Sequence, residues 1–435
     1  MSRRIPVLRI GAASAVAALC LTAVPQAAAA ASGSTPPGLA EQDTLRWNAP
    51  KDFYIGSAVA GGGHHTTADY PEPFPSDPGY RSVLAREFSS LTPENQMKWE
   101  FIHPEEGVYE FGPADDIVDF AEANGQVVRG HTLFWHSQNP DWLENGDHTP
   151  EELRAVLKDH VHTVVGRYEG RIQQWEVANE IFDDSGNLRP EDNIWLRELG
   201  PEIIGDVFRW AHDADPNAKL FFNDYNVEGP NAKSDAYYAL IQDLLAQGVP
   251  VHGFGMQTHL GLQYGFDGRM QQNLQRFDDL GLETAVTEID VRGPVGADGQ
   301  MSEELRQKQA DWFRSALEAC LAVEDCNSFT VWGVLDQHSW VPNTFPGYGD
   351  ALTMEGDYER KPAYTALQET LVRAHPGGEA KLRHHPAFRG PGRTGTPTGP
   401  LPTSRPVVVR GRLSAGRSTG PGRPGSARGP WRPRR

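Results

Sequence analysis

The sequence predicts a (β/α)8 barrel, the TIM barrel, followed by a disordered C-terminal tail. Three observations favour this fold: eight β-rich runs, amphipathic helical patterns between them, and polar residues where the runs end. Alternating strands and helices are typical of a parallel sheet whose strands are connected by helices. Eight such units in roughly 325 residues fit the usual size of this barrel.

The N-terminal segment, residues 1–32, is predicted to be a signal peptide. Three arginines precede an apolar run from Gly11 to Val24, and the alanines that follow offer several Ala-x-Ala cleavage sites. The apolar run is too short to be a membrane-spanning helix. We therefore expect a secreted, extracellular protein with no membrane segment. The sequence leaves both the general secretory and the twin-arginine export route open.

The eight predicted strands lie between Asp52 and His375. In chain order they read FYIGSAV, EFSSLTPEN, GQVVRGHTLFW, RIQQWEVANE, AKLFFNDYN, VHGFGMQTH, LETAVTEID and NSFTVWG. Between them, runs such as PEELRAVLKDHVHTVVGRY repeat apolar residues every three or four positions, which predicts helices packed on the sheet. The run KPAYTALQETLVRAH closes the series after the eighth strand. Residues 44–375 are therefore the predicted barrel domain.

The C-terminal segment, residues 376–435, is rich in proline, glycine and arginine. It holds 13 lysine and arginine residues against one acidic residue, Glu379, and it has no apolar periodicity. Such a composition cannot bury enough apolar surface to fold, so this segment is predicted to be disordered. A second hypothesis is that the segment is a coding region read in a shifted frame.

Net charge argues against nucleic-acid binding. The formal net charge is −18 although both ends of the chain are basic, so the barrel itself is strongly acidic. A strongly acidic domain repels phosphate groups.

Two cysteines, Cys320 and Cys326, remain after the predicted signal peptide. In an oxidising compartment we expect them to form a disulfide, and a pair of free thiols is the alternative. The adjacent His64 and His65 are interpreted as part of a surface loop. They do not indicate a metal site, because adjacent side chains diverge and no carboxylate cluster accompanies them.

Polar and aromatic residues end nearly every predicted strand. In a barrel of this kind the carboxyl ends of the strands share one rim, where active sites lie. Glu180 ends the fourth strand and Glu288 ends the seventh, on opposite sides of that rim. Two facing carboxylates suit the hydrolysis of a glycosidic bond. From position alone, a structural ion pair is the alternative.

Seven motifs in order resemble family 10 of the glycoside hydrolases, a family of endo-β-1,4-xylanases. They are TPENQMKW, RGHTLFWHSQNPDWL, WEVANE, NDYN, GFGMQTHL, VTEID and VWGVLDQHSW, and the resemblance covers about Thr44 to His375. It implies a secreted, retaining endo-1,4-β-xylanase that hydrolyses internal β-1,4-xylosidic bonds of xylan by double displacement. The expected partners are xylan and xylo-oligosaccharides, and we expect a monomer that needs no cofactor and no metal.

The same resemblance implies roles for individual residues. Glu180 is the expected general acid/base, and we expect the negative charge of Glu288, the nucleophile, to raise its pKa. His259 is expected to hold Glu288 while Asp290 orients the imidazole. Asn179 is expected to donate to the sugar 2-hydroxyl. The other expected substrate-binding residues are Glu94, Asn95, Lys98, His131 and Gln138 on the non-reducing side, Trp135, Trp332 and Trp340 as apolar walls, Tyr225 and Asn226 on the leaving-group side, and Gln257.

Two loops depart from the commoner family pattern. The loop VAGGGHHTTADYPEPFPSDPGY is longer than in most members, and VPNTFPGYGDALTMEGDYERKPAY differs from the usual last loop. Both are expected to border the cleft, so fine specificity stays open. Two alternative functions also stay open: a barrel glycosidase that prefers β-1,4-glucan, and a carbohydrate-binding barrel without catalytic activity.

Overall fold

All eight predicted strands form, and they close into one parallel barrel. The computed structural model describes residues 43–65, 68–69 and 71–374. Each strand pairs in parallel with the next, and the eighth pairs with both the seventh and the first, which closes the barrel. The (β/α)8 prediction is therefore confirmed. Strands β1 to β8 are Tyr54–Val59, Ser90–Pro93, Val127–Phe134, Gln174–Asn179, Lys219–Asp224, Gly253–Met256, Glu283–Pro294 and Cys326–Val331.

One long helix follows each barrel strand. Helices α1 to α8 are Pro78–Glu87, Gly112–Ala123, Pro150–Arg167, Ile203–Ala214, Ala232–Ala246, Met270–Asp278, Glu303–Leu321 and Pro362–Ala374. Shorter helices lie at Leu45–Asn48, Trp99–Ile102, Asp141–Glu144, Ile194–Leu199, Asp336–His338 and Val341–Thr344. Two-residue or three-residue strands lie at His64–His65, Ala68–Asp69, His259–Gly261, Tyr348–Gly349, Met354–Glu355 and Glu359–Arg360. His64 and His65 are thus part of a short antiparallel pair, where the sequence predicted only loop.

Helix α3 shows how the sequence fixes a helix start. The Thr149 side chain accepts a hydrogen bond from the Glu152 amide, and the Glu152 carboxylate accepts one from the Thr149 amide. This reciprocal cap satisfies two backbone donors that a helix start otherwise leaves unpaired. Pro150 occupies the first turn, where its missing N–H costs nothing. The apolar face of the helix is buried, and the helix packs against α4 and the short helix Ile194–Leu199.

A buried polar layer lies inside the barrel, below the rim. The Arg129 guanidinium donates to Ser328 Oγ at 2.5 Å, and its Nη1 lies 3.6 Å from Glu176 Oε1. Both charged side chains are fully buried, so each depends on its partners for solvation. Glu176 is thereby held on β4 directly below the residues of the rim.

Strand β7 is longer than predicted. The sequence placed its end at Asp290, whereas the strand continues to Pro294. The extension pairs with His259–Gly261 in parallel and with Tyr348–Gly349 antiparallel. These two short strands lie in loops. The local sequence pattern of β7 therefore did not predict that they would pair with it and extend it beyond Asp290.

The predicted disulfide forms between Cys320, at the end of α7, and Cys326, at the start of β8, with a Cα–Cα distance of 5.3 Å. Among the described residues, no helix is both long and apolar enough to cross a membrane. The predicted signal peptide, residues 1–32, and the predicted tail, residues 376–435, lie outside the described residues.

Candidate active site

The ends of the barrel strands surround one cleft of about 870 Å³. Of the sequence-predicted site residues, those lining it are Glu94, Lys98, His131, Trp135, Gln138, Glu180, Tyr225, Asn226, Gln257, His259, Glu288, Trp332 and Trp340. The other three, Asn95, Asn179 and Asp290, are fully buried behind this lining. Residues that are far apart in sequence are therefore brought together at the carboxyl ends of the strands, as the fold requires.

Glu180 follows the last residue of β4 in a left-handed backbone conformation, with φ at 54°. Its amide donates to the Asn223 carbonyl at 2.9 Å, so the turn is anchored to β5. Its Oε1 atom accepts hydrogen bonds from Gln257 Nε2 at 3.0 Å and from Asn179 Nδ2 at 3.3 Å. Its Oε2 atom lies 3.8 Å from His136 Nδ1.

The pKa of Glu180 is lowered from its ordinary value. Burial alone raises it, but the charge interaction with His136 and the hydrogen bonds from Gln257 and Trp135 lower it overall. The negative charge of Glu288 acts upward, as the sequence suggested, yet it is a smaller contribution. The expectation that Glu180 has a raised pKa is therefore wrong for the free site, because it considered one charged neighbour and omitted His136.

Glu288 is held by groups that favour its ionised form. His259 Nε2 lies 3.2 Å from Glu288 Oε2, and Asn223 Nδ2 donates to Glu288 Oε1 at 2.7 Å. Burial raises the pKa of Glu288, but the bond from His259, the charges of His131 and His259, and the bond from Asn223 lower it overall. A carboxylate that is ionised and oriented by donors is suited to act as a nucleophile.

His259 lies between two carboxylates. Its Nδ1 atom is 2.8 Å from Asp290 Oδ2, opposite the contact with Glu288. Burial lowers the pKa of His259, but Asp290 and Glu288 raise it to about 10, so the ring carries a positive charge. Trp340 Nε1 donates to the same Asp290 oxygen at 2.8 Å and thereby fixes the carboxylate that orients His259.

A polar cluster forms the half of the rim that follows β2 and β3. Lys98 Nζ donates to Asn95 Oδ1 at 3.0 Å and to Gln138 Oε1 at 2.7 Å, and it lies 5.0 Å from the centre of the Trp135 ring. Burial lowers the pKa of Lys98, and it raises the pKa of the neighbouring Glu94 to about 7. Such a cluster offers donors and acceptors for sugar hydroxyl groups.

The half of the rim that follows β4 and β5 carries Tyr225 and Asn226. Lys233 Nζ lies 3.6 Å from the centre of the Tyr225 ring and 2.6 Å from Asp224 Oδ1. Asn226 has φ at 55° and donates to Asp184 Oδ1 at 3.2 Å. The Tyr225 ring thus has a fixed position with one side toward the cleft.

A family model described as glycosyl hydrolase family 10 matches residues 45–370. The chain belongs to this family. It is 44% identical to endo-1,4-beta-xylanase B of Thermotoga neapolitana over 295 residues, which are 67% of this chain and 83% of that protein. It is 36% identical to an endo-1,4-beta-xylanase of Agaricus bisporus over 334 residues, which are 76% of this chain and 95% of that protein.

Two solved structures show the same architecture. Native xylanase 10B from Thermotoga maritima is 42% identical and has a TM-score of 0.70, with 76% of this chain and 98% of that chain covered. Xylanase 10B from Thermotoga petrophila RKU-1, in complex with xylobiose, has the same identity and TM-score and is covered over 97% of its length.

Two buried residues of this family 10 member complete the site, and the sequence analysis did not select them. Glu176 contacts His131 through a short hydrogen bond, and Asn223 Nδ2 contacts Glu176 Oε2 at 3.2 Å in addition to Glu288. His131, Glu176 and Glu288 bring ligand-type atoms within 4.8 Å of one another, but His131 already bonds to Glu176, and Asn223 Nδ2 donates to both Glu176 and Glu288. Glu176 was overlooked because it lies inside a strand rather than at its end.

His136, Arg292 and Phe345 also line the cleft and were not predicted. His136 directly follows Trp135 in a quoted motif, and Arg292 lies two residues after Asp290. Their closeness in sequence to predicted site residues was the signal that could have identified them. Phe345 lies in the last loop, which was expected to border the cleft, and Trp340 directly precedes that loop. In contrast, Gly62 of the first loop contacts Asn95 and Gln96 behind the lining.

Proposed function

We propose that this protein is a secreted, retaining endo-1,4-β-xylanase that hydrolyses internal bonds of xylan. The observation that carries the proposal is the pair of carboxylates, Glu180 and Glu288, which line one cleft in different hydrogen-bond environments. The xylanase names of the relatives and the xylobiose complex of one solved structure support xylan and xylo-oligosaccharides as the substrates. Residues 44–375 are the proposed catalytic domain, acting as a monomer and without a cofactor.

Glu288 is the proposed nucleophile. His259 and Asn223 keep it ionised and point it into the cleft, where it attacks the anomeric carbon and forms a glycosyl-enzyme. The imidazolium of His259 remains fixed by Asp290 during the step, so the carboxylate does not need to reorganise. Retention follows because a second displacement inverts the anomeric carbon again.

Glu180 is the proposed acid in the first step and base in the second. Burial lowers the pKa of His136 and the charge of Glu180 raises it, so a change in protonation of either group shifts the pKa of the other. The Glu180 side chain is 13% exposed, and a sugar that covers it adds to its burial. Added burial favours the neutral carboxyl group, the form that donates a proton to the departing sugar oxygen.

The test is reducing-sugar release from beechwood xylan compared with carboxymethylcellulose. We expect greater release from xylan. Greater release from carboxymethylcellulose would favour the β-1,4-glucan alternative, and release from neither would favour a carbohydrate-binding barrel. Mass mapping of the N-terminal peptide from culture medium tests secretion, since removal of residues 1–32 is expected.

Stereochemistry provides a separate test of the mechanism. The two carboxyl groups of a retaining enzyme are about 5–5.5 Å apart, too close to hold a water molecule between them. Proton NMR of the first products should therefore show the β-anomer. An α-anomer that appears first would exclude double displacement without excluding xylan as the substrate.

A further inference from the structure

Arg292 lines the cleft with only 8% of its surface exposed, yet no described residue forms an ion pair with it. Its Nη1 atom makes long contacts to the carbonyl oxygens of His259, at 3.5 Å, and Leu260, at 3.4 Å. Its buried Nε atom has no hydrogen-bond partner among the described residues. A buried guanidinium is normally paired with an acid, because its desolvation is otherwise uncompensated.

Three acids line this half of the cleft, Asp184, Glu228 and Asp267, and none of them forms an ion pair with Arg292. Asp184 lies 3.5 Å from Lys233 and accepts from Asn226, while Asp267 forms an ion pair with Arg269 at 2.6 Å. The Arg292 guanidinium therefore has no acidic partner among the described side chains of the cleft. A negatively charged group on a bound ligand can form this ion pair instead.

The unusual last loop holds the Arg292 guanidinium in place. Phe345 lies beneath it, with 3.9 Å from the guanidinium carbon to the ring centre. The loop is itself tied down, because Tyr348–Gly349 pairs with the end of β7 and Lys361 is buried between Asp336 and Asp350. A planar guanidinium stacked on a ring presents its N–H edge in a defined direction, which suits carboxylate binding.

Arg292 lies on the half of the rim opposite the Lys98 cluster. It is in register with Gly261, beside the short strand that follows β6. Tyr264, in the next turn, also lines the cleft and is 78% exposed, so its ring is open to stack on a sugar. This wall continues the side to which Tyr225 and Asn226 are assigned, where the leaving part of the polysaccharide is expected.

We propose that Arg292 binds the carboxylate of an acidic sugar attached to the substrate chain, on the leaving-group half of the cleft. The inference rests on the proposed xylanase function and makes it more specific: the preferred substrate carries uronate branches. Phe345 positions the guanidinium, and Tyr264 offers a surface for the sugar ring. Within a strongly acidic protein, the charge of Arg292 offsets part of the repulsion that an acidic polysaccharide otherwise meets.

The experiment compares glucuronoxylan with the same polymer after its carboxyl groups have been reduced to primary alcohols. Chain length and branching are then matched, and only the charge differs. The wild-type protein should show a higher kcat/KM on the native polymer. Arg292→Met, which keeps the aliphatic contact with Phe345, should lower kcat/KM on the native polymer about tenfold, as expected for loss of a charge-assisted hydrogen bond. It should leave kcat/KM on the reduced polymer within about twofold.

Two variants serve as controls. Arg292→Lys keeps the charge and should keep most of the preference for the native polymer. Arg154→Met changes an arginine that also lies over an aromatic ring, with 4.8 Å to the centre of Trp210, but it is paired with Asp206 and does not line the cleft. It should leave both rates unchanged. Thermal unfolding of each variant separates loss of binding from loss of fold.

The outcomes are distinguishable. Suppose that the wild-type protein hydrolyses both polymers and that Arg292→Met either lowers both rates equally or changes neither rate. The proposed carboxylate site is then wrong, while the xylanase function stands. If the wild-type protein hydrolyses neither polymer, the xylanase function itself fails. If raised ionic strength leaves the preference intact, the preference is not electrostatic and the inference is also overturned.

Discussion

At the scale of single residues, the neighbours of Glu180 and Glu288 give two chemically identical carboxylates different acid–base properties. Glu288 accepts bonds from a charged His259 and from Asn223, whereas Glu180 accepts bonds from neutral amides and lies near His136. Donors that carry charge favour the ionised form more strongly than neutral amides do. One carboxylate is therefore suited to remain ionised, and the other to exchange a proton.

Glu180→Ala tests this division of roles. The variant should still form a glycosyl-enzyme from an aryl xyloside with an acidic phenol, because such a leaving group needs little protonation. Water should then react slowly, since the base is missing. Added azide, which needs no deprotonation, should raise turnover at least about tenfold and give a β-glycosyl azide, since loss of general base catalysis costs about 100-fold or more.

Glu288→Ala is the matched control and should show no such rescue with retained configuration. If azide leaves Glu180→Ala unchanged, or if xylan and activated aryl substrates lose activity equally, the acid/base assignment of Glu180 is wrong. Steady-state kinetics with product identification by NMR supply both measurements.

Much of the candidate site could be predicted because its residues stand at strand ends, which the barrel brings to one rim. Glu94, Trp135 and Trp332 were selected in this way, and all three line the cleft. The lowered pKa of Glu180 could not be predicted, since it depends on a 3.8 Å contact with His136 and on a bond from a third strand. Such distances depend on closure of the barrel and leave no local pattern.

At the scale of secondary-structure elements, a stack of rings joins α3 to the loop after β2. His160, on α3, stacks on Trp99 with ring centres 3.5 Å apart, and its Nδ1 lies 3.2 Å from His103 Nδ1. The Gly107 amide donates to His103 Nε2, so the His103 proton is on Nδ1 and His160 Nδ1 accepts it. Because Trp99 follows Lys98, this neutral pair supports the polar cluster of the cleft.

The stack should make the protein sensitive to acid. Burial lowers the pKa of His103 to about 4 and the pKa of His160 well below its ordinary value, while Asp159 acts upward on His103. Histidines with lowered folded-state pKa values contribute stability above about pH 6.5, and this stability is lost as pH falls because the unfolded chain binds the protons. Between about pH 6.5 and pH 4 the shift of His103 alone predicts a loss on the order of 2–3 kcal/mol, and His160 adds to it.

Replacement of His160 measures this contribution. The unfolding free energy of His160→Phe, from urea titrations at several pH values, should fall less steeply with acid than that of the wild-type protein. His162→Gln, on the same helix, is the control and should keep the wild-type slope. An unchanged slope in His160→Phe would assign the acid sensitivity to other groups.

The presence of each strand and helix could be predicted from the sequence pattern, whereas the length of β7 could not. All eight strands and the helices of the quoted runs formed where apolar periodicity indicated them. Strand β7 exceeded its predicted end because two loop segments supply backbone partners for residues 290–294. Hydrogen bonding between distant segments, rather than the propensity of those residues, sets that end.

At the scale of the whole molecule, the described residues that line the cleft lie between Glu94 and Phe345, and the last described helix ends at Ala374. Every rim residue predicted from the sequence also lies before the predicted basic tail, residues 376–435. We expect truncation after Gly378 to leave kcat/KM on soluble xylan within about twofold, since changes away from packed or binding groups are usually small. Kinetics of full-length and truncated protein measure it, and a folded truncation with most activity lost would contradict the expectation.

At Glu180 the left-handed backbone conformation lowers the stability of the folded protein, while the side chain at the same position is the proposed acid/base. This conformation costs a residue with a side chain on the order of 1–2 kcal/mol, and it costs glycine almost nothing. Glu180→Gly should therefore unfold at a higher temperature than Glu180→Ala in calorimetry, and equal midpoints would argue against strain. Laboratory evolution for heat resistance alone would tend to discard the acid, so such a selection needs growth on the polysaccharide as a second requirement.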